Sequence, residues 1–235
     1  MLKSFLFFLF VIFSTGLSKS KIAEKNTYLS DFKQQLKLEW PKNRTLNIVI
    51  HGHSVPSGYG RTPAVNTLQA YPHLLLEGLK AQYPNAVINV ITTAIGGEQS
   101  EQGAERFNRD VLAMNPDVIL IDYALNDRYI GVERSEKAWR TMIEAALEKQ
   151  IKVLLMTPTL DLIENPLDES LPLNKHSQLI RKLANEYAVG LVDAYTIFKR
   201  KAESNEQIDK YMSQSNHPNF AGHCCVAAEV LTWFY

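Results

Sequence analysis

Ser54, His217, Asn126 and the pair Gly96-Gly97 are the residues of this 235-residue chain whose types and placement could carry chemistry. A serine hydroxyl is a weak nucleophile until a base takes its proton, and histidine, which titrates near neutrality, suits that task. A carbonyl under attack builds negative charge on its oxygen. Backbone N–H groups at a glycine turn and a side-chain amide are donors that can stabilise it. Taken singly, each residue has an ordinary explanation. Ser54 could be a turn residue, Gly96-Gly97 a tight bend, Asn126-Asp127 a strand exit or helix cap, and His217, ahead of Pro218, a surface loop residue. Together they are less ordinary, because each follows an element that would bring it to one edge of a sheet.

His51 and His53 offer a competing reading of the same stretch, Ile48-Val49-Ile50-His51-Gly52-His53-Ser54. Residues two apart in a strand share a side, so the two imidazoles could hold a metal ion. No third ligand stands out in the sequence, so neither a metal nor any other cofactor is expected.

The elements that must position these residues alternate along the chain. Short apolar runs predict strands at Leu46–Ile50, Val87–Ile91, Asp117–Tyr123, Lys152–Met156 and Gly190–Asp193. Helical spacing marks the segments Ala70–Gln82, Glu101–Met114, Ser135–Lys149, Asn174–Tyr187 and Phe220–Phe234, with a short amphipathic helix at Tyr28–Leu38. Apolar strands alternating with helices imply parallel βαβ units and a three-layer α/β/α sandwich with a five-stranded parallel sheet. Such sheets bind ligands beyond the carboxyl ends of their strands. Ser54, Gly97, Asn126 and the Thr157-Pro158-Thr159 turn all follow strands in this reading, and His217 precedes the last helix.

Composition narrows the function classes. Apolar residues make up 46% of the chain, and 25 basic residues balance 25 acidic ones. A chain without excess positive charge has little with which to neutralise a phosphate backbone, so nucleic-acid binding is not expected. Lys3 followed by the apolar run Ser4–Phe13 and small residues at 16, 18 and 20 predicts a secretory signal over residues 1–20. An N-terminal segment (21–45) and a catalytic domain (46–235) would follow, with export to the periplasm or beyond and no stable membrane insertion after cleavage. The adjacent Cys224 and Cys225 are expected to be free, buried thiols on the last helix.

The rim residues resemble the blocks of the SGNH hydrolases, a branch of the GDSL esterase/lipase group, over roughly Leu46 to the C-terminus. Gly52-His53-Ser54 stands for the family's Gly-Asp-Ser, and Gly96-Gly97-Glu98-Gln99 for its glycine turn. Ala124-Leu125-Asn126-Asp127 stands for Gly-x-Asn-Asp, and Gln214-Ser215-Asn216-His217 for Asp-x-x-His. The resemblance implies the flavodoxin-like SGNH fold, Ser54 as nucleophile and His217 as base. It implies an oxyanion hole of the Ser54 and Gly97 N–H groups with the Asn126 side chain. Three positions depart from it. His53 replaces the acid before the serine, Ala124 replaces a glycine, and Gln214 stands where an acid would orient the histidine. Changing that acid to its amide costs about 10⁴-fold in the serine-protease template. Either a Ser–His dyad, with Gln214 or a main-chain carbonyl as orienter, or an acid from elsewhere is expected; Glu206 and Asp209 are nearby in sequence.

For an exported member, the resemblance suggests removal of an acetyl or other small acyl group from a carbohydrate ester. A lysophospholipase or thioesterase, or a catalytically weakened glycan-binding homologue, are the alternatives. The loop 55–69 predicts a polar, aromatic-edged pocket from Tyr59, Arg61 and Tyr71. His53, Tyr59 and Arg128 are candidate substrate contacts, Arg128 otherwise being a solvated side chain, and Asp127 is expected to cap the following turn. No extended apolar surface stretch is apparent outside the signal.

Overall fold

The computed structural model describes residues 21–235; the predicted secretory signal lies outside them. Five parallel strands form the central sheet: β1 (Thr45–Gly52), β2 (Val87–Thr92), β3 (Val118–Asp122), β4 (Lys152–Met156) and β5 (Gly190–Val192), in the order β2-β1-β3-β4-β5. The helices are α1 (Lys25–Tyr28), α2 (Ser30–Leu36), α3 (Ser54–Ser57), α4 (Tyr71–Gln82) and α5 (Ser100–Asp110). They continue as α6 (Ala124–Asp127), α7 (Val132–Glu148), α8 (Pro172–Glu186), α9 (Ala194–Glu203) and α10 (Phe220–Leu231).

The strands are apolar on both faces because both faces are covered. Ile48 and Ile50 of β1, Val118 and Leu120 of β3, and Leu154 and Met156 of β4 pack with Leu75 and Leu79 of α4, Phe198 of α9 and Val226 of α10. The alternate residues Val49, Ile119, Ile121, Val153 and Leu155 face Phe107 of α5, Trp139 and Ile143 of α7, and Leu183 of α8. The strand period of two sorts one apolar run into two cores.

The chain leaves β1 for β2 on one side and then crosses to β3 on the other. With right-handed connections, that reversal puts α4 and α5 on opposite faces and opens a crevice above β1 and β3. Gly52 makes the two strands' ends fit: a Cβ there would lie 2.4 Å from the Asp122 carbonyl oxygen. A two-stranded antiparallel hairpin, β6 (Met212–Gln214) and β7 (His217–Pro218), stands before α10. Cys224 and Cys225 are free on α10 as expected, but both are half-buried rather than buried. Among the described residues no helix is long and apolar enough to cross a membrane.

Candidate active site

β1 ends at Gly52, and the chain turns at once into α3, the first residue of which is Ser54. The β6–β7 hairpin brings His217 over it, with His217 Nε2 2.8 Å from Ser54 Oγ. Both residues are buried. Burial pushes the His217 pKa below its ordinary 6.5, the Gly60 carbonyl at Nδ1 opposing this. The ring is therefore neutral at pH 7, the form that can accept a proton.

The amide of Gln214 sits 2.7 Å from His217 Nδ1 through its nitrogen, while its oxygen accepts from Thr62 N–H at 3.2 Å. The Gly60 carbonyl lies 3.2 Å from the same Nδ1. Of the two orienters expected, the main-chain carbonyl has the matching chemistry; the glutamine turns its nitrogen, not its carbonyl, to the ring. Glu206 is held instead by Lys201 and the Tyr211 hydroxyl.

The glycine turn is stitched to the same edge. Ile95 N–H donates to the Gly52 carbonyl at 3.0 Å, and Ser57 Oγ to the Ala94 carbonyl at 3.1 Å. Gly97 has a φ of +80°, which favours glycine, and nothing lies within 4 Å of where a Cβ would stand. Asn126 Nδ2 donates to the Glu98 carbonyl at 2.9 Å, tying α6 to this turn. The Glu98 carboxylate is clamped by Arg106 (2.8 and 2.5 Å) and by Tyr123 OH (2.8 Å). Nothing in the sequence around Glu98 marks this brace; Arg106 reaches back to it from nearly two turns into α5.

Asp127 is structural, but its side chain does not cap the turn that follows it. It is fully buried and accepts from Ser100 N–H (2.8 Å), Ser135 Oγ (2.7 Å) and Trp139 Nε1 (2.7 Å), joining the starts of α5 and α7.

Arg128 differs from its expectation as a solvated side chain. It is buried, with one guanidinium nitrogen 2.5 Å from Asp161 Oδ2 and another 3.4 Å from Glu164. Its charge is spent within the protein, so it is not placed as a free substrate contact. Tyr71 is also displaced from the expected pocket: it is fully buried and its hydroxyl donates to Asp122 Oδ2 at 3.0 Å. Arg61 is exposed and donates to the Ser213 carbonyl. Tyr59 does stand at the site. Its ring packs over Gly96 and has its centroid 6.1 Å from that of His217.

His51 and His53 part company despite their spacing. His51, within β1, contacts Thr93 Oγ1 (2.8 Å), the Gly103 carbonyl (3.0 Å) and Tyr123 OH (3.2 Å). His53 lies past the end of the strand, where the alternation stops, and turns to Val55 N–H and Asp122.

Around the site the connections leaving the strands expose apolar side chains: Tyr59 and Leu68 after β1, Ile95 after β2, Tyr129 after β3, and Ile163 and Leu167 after β4. These are single side chains spread over four connections, not a continuous apolar stretch. A cleft of about 270 Å³ beside His217 is lined by Gly58, Gly60, Asn66, Ser213, Pro218 and Phe220.

Comparison with known proteins agrees with this fold. Residues 50–224 match the model of the GDSL-like lipase/acylhydrolase family. An acetylxylan esterase of Geobacillus stearothermophilus is 23% identical over 194 residues, covering 77% of this chain and 86% of its own. The crystal structure of Axe2, an acetylxylan esterase from the same organism, superposes with a TM-score of 0.69 at 21% identity, covering 80% of this chain and 94% of that one. A two-domain esterase active on acetylated mannans, crystallised with mannopentaose, gives a TM-score of 0.74 at 20% identity over 92% of this chain and 54% of that one. The chain belongs to the GDSL-like lipase/acylhydrolase family, and it is a carboxylic ester hydrolase.

Proposed function

We propose that the protein is an exported esterase that removes acetyl, or another small acyl group, from a carbohydrate through a covalent acyl-enzyme on Ser54. The observation that carries this reading is the 2.8 Å contact between Ser54 Oγ and His217 Nε2. With Nδ1–H held by the Gly60 carbonyl, Nε2 accepts the serine proton as Oγ attacks the ester carbonyl. The ester C–O bond then breaks, the proton goes to the departing sugar oxygen, and water repeats the sequence on the acyl-enzyme.

Negative charge on the carbonyl oxygen is met by the N–H groups of Ser54 and Gly97 and by the Asn126 amide. Asn126 Nδ2 spends one hydrogen on the Glu98 carbonyl and keeps a second for this purpose. The carbohydrate assignment is supported by the acetylxylan esterase and the mannan-active esterase to which the chain is similar. Exposed Tyr59 and Tyr129 offer rings on which a sugar can stack. Export rests on the charged and apolar pattern of residues 1–20.

The test uses purified protein lacking residues 1–20, alongside Ser54→Ala. Release of acetate from acetylated xylan or mannan oligosaccharides should be rapid for the parent and near background for the variant. Equal rates would overturn the serine mechanism. A p-nitrophenyl ester series should favour acetate over palmitate; the reverse order would favour a lipase.

A further inference from the structure

Ser54 has a second imidazole neighbour. His53 Nδ1 lies 3.4 Å from Ser54 Oγ and accepts the Val55 N–H at 3.2 Å. With Nδ1 an acceptor, the neutral ring carries its proton on Nε2. That nitrogen is buried without a hydrogen-bond partner and faces Asp122 Oδ1 at 3.5 Å. His53 and Asp122 are each 1% exposed.

Asp122 is a buried carboxylate that no lysine or arginine pairs with among the described residues. Its close neighbours are Tyr71 OH and His53, with His223, which accepts from Tyr71 N–H, within electrostatic reach. A buried carboxylate without a cation is costly, and here only imidazoles are placed to become one.

On the other side of the serine, the Gln214 amide is fixed by two partners that agree. Thr62 N–H donates to its oxygen, and Asn216 Oδ1 accepts from its nitrogen at 3.2 Å. The nitrogen so directed lies 2.7 Å from His217 Nδ1, where it competes with the Gly60 carbonyl at 3.2 Å, so two neutral tautomers are open to the ring: Nδ1–H held by Gly60, or Nδ1 accepting from Gln214. When Gln214 donates, the ring carries its proton on Nε2 and resists becoming an imidazolium. In that tautomer His217 donates to Ser54 Oγ, and the serine's own proton is left for His53.

We propose that His53, with Asp122 behind it, is a second base for Ser54. The carboxylate missing behind His217 acts through His53 instead. The inference rests on Ser54 being the nucleophile. The Ser54 O–H bond breaks and the proton goes to His53 Nδ1. Oγ bonds to the ester carbonyl carbon, and the carbonyl π pair moves onto oxygen. The imidazolium presents Nε2–H to Asp122, while Val55 N–H gives up its acceptor. On collapse the ester C–O bond breaks and the proton passes from Nδ1 to the departing alkoxide. In deacylation His53 takes a proton from water as the water oxygen bonds to the acyl carbon, and Ser54 Oγ recovers that proton as its bond to the acyl carbon breaks.

The test measures kcat and KM on p-nitrophenyl acetate for His53→Asn, Asp122→Asn, and Asp122→Asn combined with Gln214→Asp. Asparagine at position 53 keeps an oxygen for the Val55 N–H, so α3 stays capped while the base is lost. Both single variants should lose about 10²-fold in kcat with KM little changed. The added Gln214→Asp should restore about tenfold by moving the carboxylate behind His217, a rescue that a structural role for Asp122 would not show. Thermal unfolding checks that each variant is folded. If Asp122→Asn does not fold, His53→Asn alone decides. Parental kcat in folded His53→Asn, or no rescue by Gln214→Asp in folded Asp122→Asn, overturns the inference. Ser54→Ala separates the two levels. An inert Ser54→Ala beside a fast His53→Asn sinks only the second base, whereas an active Ser54→Ala sinks the serine mechanism itself.

Discussion

Gln214 shows how far a residue type can be read before its partners are known. The sequence places an amide where an acid would serve, and the choice between dyad and distant acid stays open. The structure gives that amide its direction, nitrogen toward His217, because Thr62 N–H occupies its oxygen. Asp122 escapes the reading altogether. It is the last residue of an apolar strand, and its relation to His53 depends on β1 and β3 being neighbours. Two predictions belong at this scale. Asn126→Ala should lower kcat by about 10²-fold or more with a small change in KM, since it removes the proposed donor to the transition state. The second concerns pH. Protonation of His217 removes a base, so kcat/KM falls as pH falls. Because burial lowers the His217 pKa, the acid limb of kcat/KM should have its midpoint below 6.5. A midpoint above 7 would contradict this environment for the ring.

At the scale of elements, the five strands are legible because each is a short apolar run bounded by polar turns. The long helices are legible from their spacing. The short ones are not. α3 and α6 are four residues each, too brief for any period, and they exist because the chain must turn sharply at the crevice. α9 has a start signal in Asp193, whose side chain accepts from Thr196 N–H, but it follows the three-residue β5 with no loop between to set it apart. The β6–β7 hairpin that carries His217 has a bulge between Met212 and Gln214 and only two residues in its second strand, so no alternation announces it. Asp127 joins two of these elements. Asp127→Ala would leave the Ser100 N–H, Ser135 hydroxyl and Trp139 indole N–H without their acceptor in a dry interior. The expected loss of stability is about 3 kcal/mol, measured by urea unfolding; a loss under about 0.5 kcal/mol would show that these donors find other partners.

At the scale of the whole molecule, two of the buried imidazoles, His51 and His223, have pKa values that burial pushes down to about 4. In the unfolded chain both titrate near 6.5. Between those values the unfolded state binds protons that the native state refuses. Stability is therefore retained above about pH 6.5 and lost as pH falls toward 4, by up to about 3 kcal/mol for each ring. Urea midpoints should drop between pH 7 and pH 5, and His51→Gln should show a shallower drop than the parent. An unchanged slope would remove His51 from that account. Fold class was readable at this scale because two covered sheet faces demand runs that are apolar throughout. Substrate preference was not, because it depends on side chains that pack against nothing. The connections after the strands keep Leu68, Ile163 and Leu167 exposed, whereas Ser54, Asn126 and His217 are held by strand ends, a short helix and the hairpin. In evolutionary terms the two kinds of position are uncoupled. Mutations can accumulate on the rim and change which ester is admitted, while the scaffold that holds Ser54, Asn126 and His217 is left untouched.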